Sequence, residues 1–333
     1  MRRLRVWHVA LVVVLAMIAT VAILYIVPSN HYVYLPDKAQ PANPLVTVPG
    51  DKRQSTADGI YMVDVIVRRA SILERLFPGI DNGATLVPEA DANPLGVSDQ
   101  QRRESSLQDM TRSQQVAAAV ALKSLGYKVR AVPNGVEVNQ VAPHSPADGQ
   151  FEIGDVIVRV DGKPIKTTVA LQRYMTAHVH PGDTVHVSVD RGHALKQLRL
   201  RTEASPTDRD RAVFGILVQQ DADIKLPVKV SINAGNIGGP SAGLAFALDI
   251  VDELGPDIDH GRKIVATGEI GLDGSVGPIG GIKQKTIGAR EAGADLFIVP
   301  RENAPQARKY ADGLRIVAVT TFAQALASLK TSA

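Results

Sequence analysis

The stretch NIGGPSAGLAFALDIVDEL, residues 236–254, joins a glycine-rich turn to an apolar segment and decides how the C-terminal part of the chain folds. Apolar residues recur at helical spacing after Ser241, and Gly255 and Pro256 form a stop signal, which predicts a buried helix. A serine at a helix start is commonly an N-cap. Glycines before it let another backbone approach closely and leave N–H groups available to an oxyanion. Ser241 is therefore a candidate nucleophile as well as a candidate cap.

A nucleophilic serine needs a base, and none of the eight histidines stands in a convincing His-Asp arrangement. Lysine is the other known partner of a serine nucleophile. The stretch GPIGGIKQKTIGAREAGADLFIVP, residues 277–300, places Lys283 at the start of a predicted helix. A lone lysine there, and equally Lys285, is ordinarily a solvated side chain. The macrodipole at a helix N-terminus disfavours an ammonium, however, and so favours the neutral amine that a base requires. The apolar face of this helix includes Ile287, Ala289 and Ala292.

The order GGPSAG, then ATGEIGLDGSVGPIGGIKQK, resembles the proteolytic domain of the Lon-type serine proteases, which use a Ser-Lys dyad. The resemblance runs from about Phe214 to Ala327. It implies that Ser241 is the nucleophile, Lys283 the general base and Thr267 the hydroxyl that supports the lysine. Burial and the helix start are expected to lower the lysine pKa from about 10.4 into the working range of a base.

The oxyanion hole is assigned to backbone N–H groups around Gly238, Gly239 and Ser241. The chain departs from the Lon pattern just before the serine. The family has a Lys-Asp pair at the positions that Ile237 and Gly238 occupy here. An acidic neighbour of the serine is therefore missing from this loop.

A second module lies upstream, in GVEVNQVAPHSPADGQFEIGDVIVRVDGKPIKTTVALQRYM, residues 135–175. It resembles a PDZ domain of the protease-associated type, running from about Tyr127 to Arg201. Such domains bind an extended peptide as an added strand. The preceding VRAVPNGVEV departs from the usual Gly-Φ-Gly-Φ carboxylate loop, where Φ is apolar. Peptide docking is thus a better supported expectation than capture of a free C-terminus.

The N-terminus carries Arg2, Arg3 and Arg5 before an uncharged apolar run from Val6 to Val27. About 22 residues in a helix span roughly 33 Å, enough for a bilayer core near 30 Å. The run is long for a signal peptide and lacks a small-residue cleavage site, which favours an uncleaved anchor. The arginines predict a cytoplasmic N-terminus, so the remainder lies outside the cytoplasm on the cell membrane.

Composition excludes several classes of protein. The chain has no cysteine, so it has neither a disulfide framework nor a thiolate metal site, and we expect no metal or other cofactor. A net charge of +3 and 4% aromatic residues give no reason to propose nucleic acid as a partner. The phosphate-binding pattern G-x-x-x-x-G-K-[ST] is absent. We therefore expect no ATP-driven unfolding of substrates.

The whole chain resembles the membrane-anchored PDZ-Lon proteases of the YlbL-like family. The predicted fold class is α+β multi-domain, in four parts: tip and transmembrane anchor, 1–28; extracytoplasmic linker and packing region, 29–126; PDZ-like domain, 127–203; Lon-type α/β proteolytic domain, 204–333. In the linker region we predict a helix with Val116, Val120 and Leu125 on one face. The resemblance implies that this region packs with, or exchanges a strand with, the protease domain.

The predicted function is an ATP-independent serine endopeptidase that cleaves extracytoplasmic peptides or unstructured segments. A homo-oligomer is a further expectation, since Lon-like domains often form rings. Two alternatives stay open. One is a catalytically silent PDZ scaffold at the membrane surface. The other is an α/β domain that binds a sugar or other small molecule, in which Ser241 is a helix cap that contacts a phosphate.

Overall fold

The computed structural model describes residues 2–50, 58–93, 95–205 and 208–330, with side chains from Trp7 onward. The orientation of the side chains of Arg2, Arg3 and Arg5 lies outside the described part. The helices are α1 Arg2–Ile26, α2 Ile72–Leu76, α3 Glu89–Ala92, α4 Asp99–Ser124, α5 Thr168–His178, α6 Gly243–Leu254, α7 Ile282–Glu291, α8 Ala304–Tyr310 and α9 Phe322–Lys330.

Twenty strands are assigned within the same ranges. Those before the central domain are β1 Pro28–Pro36, β2 Gln40–Pro41, β3 Val46–Thr47, β4 Gly59–Met62, β5 Val65–Ser71 and β6 Thr85–Pro88. The next group is β7 Arg130–Val141, β8 Val156–Val160, β9 Lys163–Pro164, β10 Thr184–Arg191, β11 Ala194–Arg201, β12 Glu203–Ser205, β13 Asp208–Val213 and β14 Ile216–Lys225. The last are β15 Ser231–Ile232, β16 Lys263–Ala266, β17 Glu269–Ile270, β18 Val276–Gly277, β19 Leu296–Pro300 and β20 Arg315–Val319.

The C-terminal domain is built on a five-stranded sheet in the order β2-β4-β16-β19-β20. Strands β4, β16, β19 and β20 are parallel, and Ile60 of β4 pairs with Ile264 of β16. Helix α6 covers one face of the sheet and α7 the other, so these strands are apolar on both sides. Strand β4 belongs to the segment expected to be a linker and packing region, residues 29–126. The segment supplies a strand of the C-terminal sheet, in line with the expectation that it packs with, or exchanges a strand with, the C-terminal domain.

Helix α4 is the other contribution of that segment. Ser98 caps it with a capping box to Gln101, and its buried face packs on α6 in the same core. Val116 and Val120 are buried there and Leu125 is partly buried against them, which confirms the predicted face. The packing of α4 on α6 places a helix from before the central domain next to the residues that follow Ser241.

The central domain is a sheet in the order β11-β10-β8-β7-β14, with β9 paired to β8. Its separate core includes Val136, Ile157 and Val187, all fully buried. Strand β14 pairs with β7 along its whole length, from Ile216 opposite Val141 to Lys225 opposite Arg130. The sheet of this domain therefore continues to Lys225, past the predicted domain end at residue 203, because β14 satisfies the second edge of β7.

The N-terminal helix α1 leads straight into a small sheet in the order β5-β1-β6. Among the described residues it has one stretch, Trp7–Ile26, that is long and apolar enough to cross a membrane, with a mean hydropathy of 2.9 and no buried residue. The helix ends at Ile26 and β1 begins at Pro28, so a single residue separates them.

Candidate active site

Ser241 lies in a short 3₁₀ turn, Pro240–Ala242, which runs directly into α6. The residue before α6 is Ala242, and no side chain caps this helix start within the described part of the chain. The Ser241 hydroxyl instead accepts a hydrogen bond from the Lys285 ammonium at 2.8 Å. This contact supports the nucleophile interpretation over the cap.

Lys285, one turn into α7, is the lysine that meets the serine. Its Nζ also donates to the Val63 carbonyl at 2.8 Å and lies 3.4 Å from the Thr267 hydroxyl. The residue is 2% exposed. Burial lowers the pKa of Lys285 to about 8, against the opposing effect of the nearby Asp64 carboxylate. A lysine with that pKa exchanges protons near neutral pH, as a general base must.

The prediction that Lys283 faces the serine is wrong. Its Nζ donates to the Ala84 carbonyl at 2.8 Å and to the Thr85 hydroxyl at 3.2 Å. Two residues along an α-helix turn by about 200°, so the two lysines point to opposite sides of α7. The apolar pattern of the helix does not distinguish the two lysines, because Lys285 lies four residues before the buried Ala289 and Lys283 lies four residues before the buried Ile287.

Thr267 lies where the resemblance placed it, between the lysine and the serine. It is fully buried just after β16, where its hydroxyl donates to the Ser241 carbonyl at 3.1 Å. The Ser241 carbonyl also accepts the Gly268 N–H at 2.8 Å. These bonds fix the backbone of the nucleophile while the same threonine oxygen stands 3.4 Å from Lys285.

The two glycines expected to form the oxyanion hole lie in different surroundings. The Gly239 N–H donates to the Ser106 carbonyl of α4 at 2.7 Å, so in this structure it is occupied and does not face the cleft. That part of the oxyanion prediction is therefore corrected. Gly238 lines the cleft and lies so close to α4 that an added Cβ would be 2.4 Å from Ser106 Oγ. A larger residue there would require Ser106 of α4 to move.

Helix α4 holds the serine turn from one side and the central domain from the other. The Ser113 hydroxyl donates to the Pro240 carbonyl at 2.9 Å. One residue earlier, the Arg112 guanidinium donates to the Ala222 carbonyl of β14 at 3.1 Å and lies 3.5 Å from the Asp221 carboxylate. Sequence reasoning assigned no site role to α4, since contacts 110 and 127 residues apart leave no local pattern.

The cleft beside Ser241 has a volume of about 770 Å³. Its walls come from β1, β5, α4, the serine turn and the start of α7. The half-buried Asp64 lies in it, and burial raises the pKa of this carboxyl group while the Lys285 charge opposes the rise. Four arginines line the cleft, and carboxylates pair with the first two of them: Arg68, Arg69, Arg102 and Arg103.

Comparison with known proteins identifies both modules. Residues 123–202 match the PDZ domain model, and residues 201–330 match the model of the Lon protease (S16) C-terminal proteolytic domain. "Lon protease 2" of Bacillus subtilis is 42% identical over 90 residues, 27% of this chain and 16% of that protein. "Lon protease 2" of Thermus thermophilus is 35% identical over 114 residues, 34% of this chain and 14% of that protein.

Among solved structures, the PDZ domain of an SdrC-like protein from Listeria monocytogenes is 26% identical, with a TM-score of 0.24. The match covers 26% of this chain and 87% of that one. By the two family models, the chain contains a PDZ domain and a Lon-type proteolytic domain. It matches 16% and 14% of the length of the two Lon relatives.

Proposed function

We propose that the chain is a membrane-anchored serine endopeptidase that works without ATP through a dyad of Ser241 and Lys285. The observation that carries the proposal is the 2.8 Å contact between the Ser241 hydroxyl and the Lys285 amine, within a buried site that lowers the lysine pKa to about 8. The similarity to Lon proteases and the match to their proteolytic domain support the same class of reaction.

In the proposed mechanism the neutral amine of Lys285 removes the Ser241 proton as the oxygen attacks a peptide carbonyl. The resulting ammonium gives that proton to the leaving amine when the C–N bond breaks. Lys285 then deprotonates the water that hydrolyses the acyl-enzyme, which restores the serine. The Val63 carbonyl and the Thr267 hydroxyl keep the amine directed at the serine throughout, because both lie within hydrogen-bonding distance of it. The backbone N–H groups of Gly238 and Ser241 are the proposed donors to the oxyanion.

The substrates we propose are extended peptide segments rather than folded domains. The sequence has no phosphate-binding loop with which to couple ATP hydrolysis to unfolding. With the N-terminal arginines on the cytoplasmic side, the cleft and the PDZ domain are on the outer side of the membrane. The proposed substrates are therefore extracytoplasmic.

The pH dependence of cleavage tests the proposal. We expect kcat/KM for an unstructured peptide, assayed without nucleotide, to rise with pH and reach half its maximum near pH 8, because only neutral Lys285 accepts a proton. Asp64→Asn removes a carboxylate that favours the ammonium, so it should shift the midpoint downward by about one pH unit. Asp99→Asn is the control, because this cleft carboxylate is hydrogen-bonded to Tyr32 and Arg69 and is not among the charges that act on the Lys285 pKa. A midpoint that stays in place in Asp64→Asn would contradict the assignment of Lys285 as the base.

The PDZ domain is proposed to dock a peptide on β14. Strand β7 lies between β8 and β14, so it has no free edge and the stretch VRAVPNGVEV does not offer one. Strand β14 ends the sheet, and in the described ranges no strand pairs with its outer edge, although Arg112 of α4 donates to its Ala222 carbonyl. Gln220 of β14 accepts a hydrogen bond from the Thr168 N–H of α5 at 3.2 Å. A strand added there would continue the sheet.

A charged side chain introduced on this strand should weaken peptide docking without changing the rate of peptide-bond cleavage. Leu217 on β14 is 48% exposed, so Leu217→Asp should weaken the binding of an extended peptide to the PDZ domain by about tenfold without changing kcat for a short peptide. Leu195→Asp is the matched control, because Leu195 is 62% exposed on β11 at the opposite edge of the same sheet. Isothermal titration and cleavage of the two peptide lengths provide the readouts. Equal weakening in both variants would rule out β14 as the docking strand.

A further inference from the structure

We propose that residues 76–80, the turn after α2, dock on the surface of the lipid bilayer, an inference that rests on the proposed membrane anchor. Leu76, Phe77 and Ile80 are 59%, 58% and 54% exposed, three large apolar side chains within five residues. Arg75 beside them is also exposed and has the length to reach lipid phosphates while its stem lies in the interface. Clustered exposed apolar residues of this kind mark an interaction surface.

The bilayer is the partner we infer because α2, which precedes the turn, is joined directly to the end of α1. The Ile72 N–H at the start of α2 donates to the Val27 carbonyl at 2.9 Å, and Pro28 pairs with Ser71. Helix α2 packs against α1. With α1 across the membrane, no flexible spacer separates its end from the turn, so the exposed apolar side chains are held at the level of the lipid headgroups.

The turn is also joined to the catalytic helix. A few residues after it, the Ala84 carbonyl and the Thr85 hydroxyl accept the hydrogen bonds from Lys283 described above, and Gln284 donates to the Gly83 carbonyl at 3.1 Å. Both donors lie on α7, which carries Lys285. This assigns Lys283 a role: it ties the membrane-facing segment to the helix of the general base.

The arrangement specifies where substrates are cut. Tyr32 on β1 lines the cleft and lies four residues after Pro28, a distance of roughly 13 Å along an extended strand. The cleft wall formed by β1 and β5 therefore begins at the membrane end of the domain. Segments that leave the bilayer, or that are tethered close to it, would reach Ser241 without being drawn away from the surface.

The absence of cysteine from the chain permits a direct test on the full-length protein. Single variants Phe77→Cys and Ile80→Cys are labelled with an environment-sensitive fluorophore and reconstituted in vesicles of phosphatidylcholine and phosphatidylglycerol. We expect lipids carrying a quencher near the headgroup to reduce fluorescence at both positions at least threefold. Leu195→Cys on β11 is the control and should be unaffected.

The outcomes distinguish this inference from the anchor and the protease. Quenching at positions 77 and 80 no stronger than at 195, in protein that floats with the vesicles, overturns the docking surface, and so does disulfide cross-linking of Phe77→Cys between two copies of the chain. Failure to float would instead contradict the anchor. The readout needs no cleavage, so it is independent of the dyad. In addition, Phe77→Ser with Ile80→Ser should reduce cleavage of a bilayer-tethered peptide about fivefold while leaving a soluble peptide unchanged. An equal effect on both peptides would contradict the inference.

Discussion

Lys285→Arg is expected to abolish peptide cleavage, with a loss in kcat/KM of about 10³-fold or more. The guanidinium keeps a positive charge near Ser241 and the Val63 carbonyl, but it stays protonated in proteins and cannot accept the serine proton. Ser241→Ala should be equally inactive, since it removes the nucleophile. Cleavage of a fluorogenic unstructured peptide without nucleotide measures both, and circular dichroism with thermal melting shows that the variants fold.

Lys283→Arg is the matched control for that experiment. An arginine at this position can still donate to the Ala84 carbonyl and the Thr85 hydroxyl, so activity on a soluble peptide should stay within about threefold of the parent chain. The two substitutions are chemically identical and two residues apart on one helix. An inactive Lys283→Arg beside an active Lys285→Arg would reverse the assignment.

Gly288→Ala is expected to destabilise the C-terminal domain, although helix propensity alone predicts the opposite. Alanine is favoured over glycine inside a helix by about 1 kcal/mol. In the structure, however, a Cβ at Gly288 of α7 would lie 1.9 Å from the Asp37 carbonyl oxygen. Relieving that overlap requires the 36–42 segment to move away from the helix. We expect a net loss of about 2 kcal/mol or more and a fall in melting temperature of about 5 °C.

Gly280→Ala provides the comparison, since an added Cβ there meets nothing within 4 Å. Its melting temperature should remain within about 1 °C of the parent chain. Differential scanning calorimetry of both full-length variants checks the pair. Unchanged or increased stability in Gly288→Ala would mean that the segment before β4 does not pack on α7, and the two-part construction of the C-terminal domain would be wrong.

The sequence alone was enough to predict the local features of the site. The Gly-Gly-Pro-Ser turn and the apolar periodicity after it predicted α6, and the ordered match to the Lon pattern predicted Ser241 and the neighbouring Thr267. These features depend on residues close together in the chain, where backbone preferences and side-chain spacing operate directly. The predictions of α1 and of the buried face of α4 also depend on local side-chain spacing. The structure agrees with each of these elements.

The local sequence did not determine which of two lysines faces Ser241. Lys283 and Lys285 share one helix start and one charge, and the resemblance implied that Lys283 lies at the serine. Their difference is rotational, about 200° around α7. Buried residues lie at helical spacing from both lysines, and only the sheet shows which one meets the serine: Val63, 222 residues from Lys285, supplies the carbonyl that holds its amine.

Pairing between segments far apart in the chain determined the rest of the fold. The sequence by itself determined which segments form the serine turn, the membrane-length helix and the central β-rich module, because each depends on neighbours in the chain. Only the tertiary structure decided that β4 completes the C-terminal sheet, that β14 completes the central one, and that Ser106 of α4 occupies the Gly239 N–H. Strand edges and free N–H groups are satisfied by whichever backbone is nearest in space, and a short strand such as Gly59–Met62 carries no local mark of the partner it will meet.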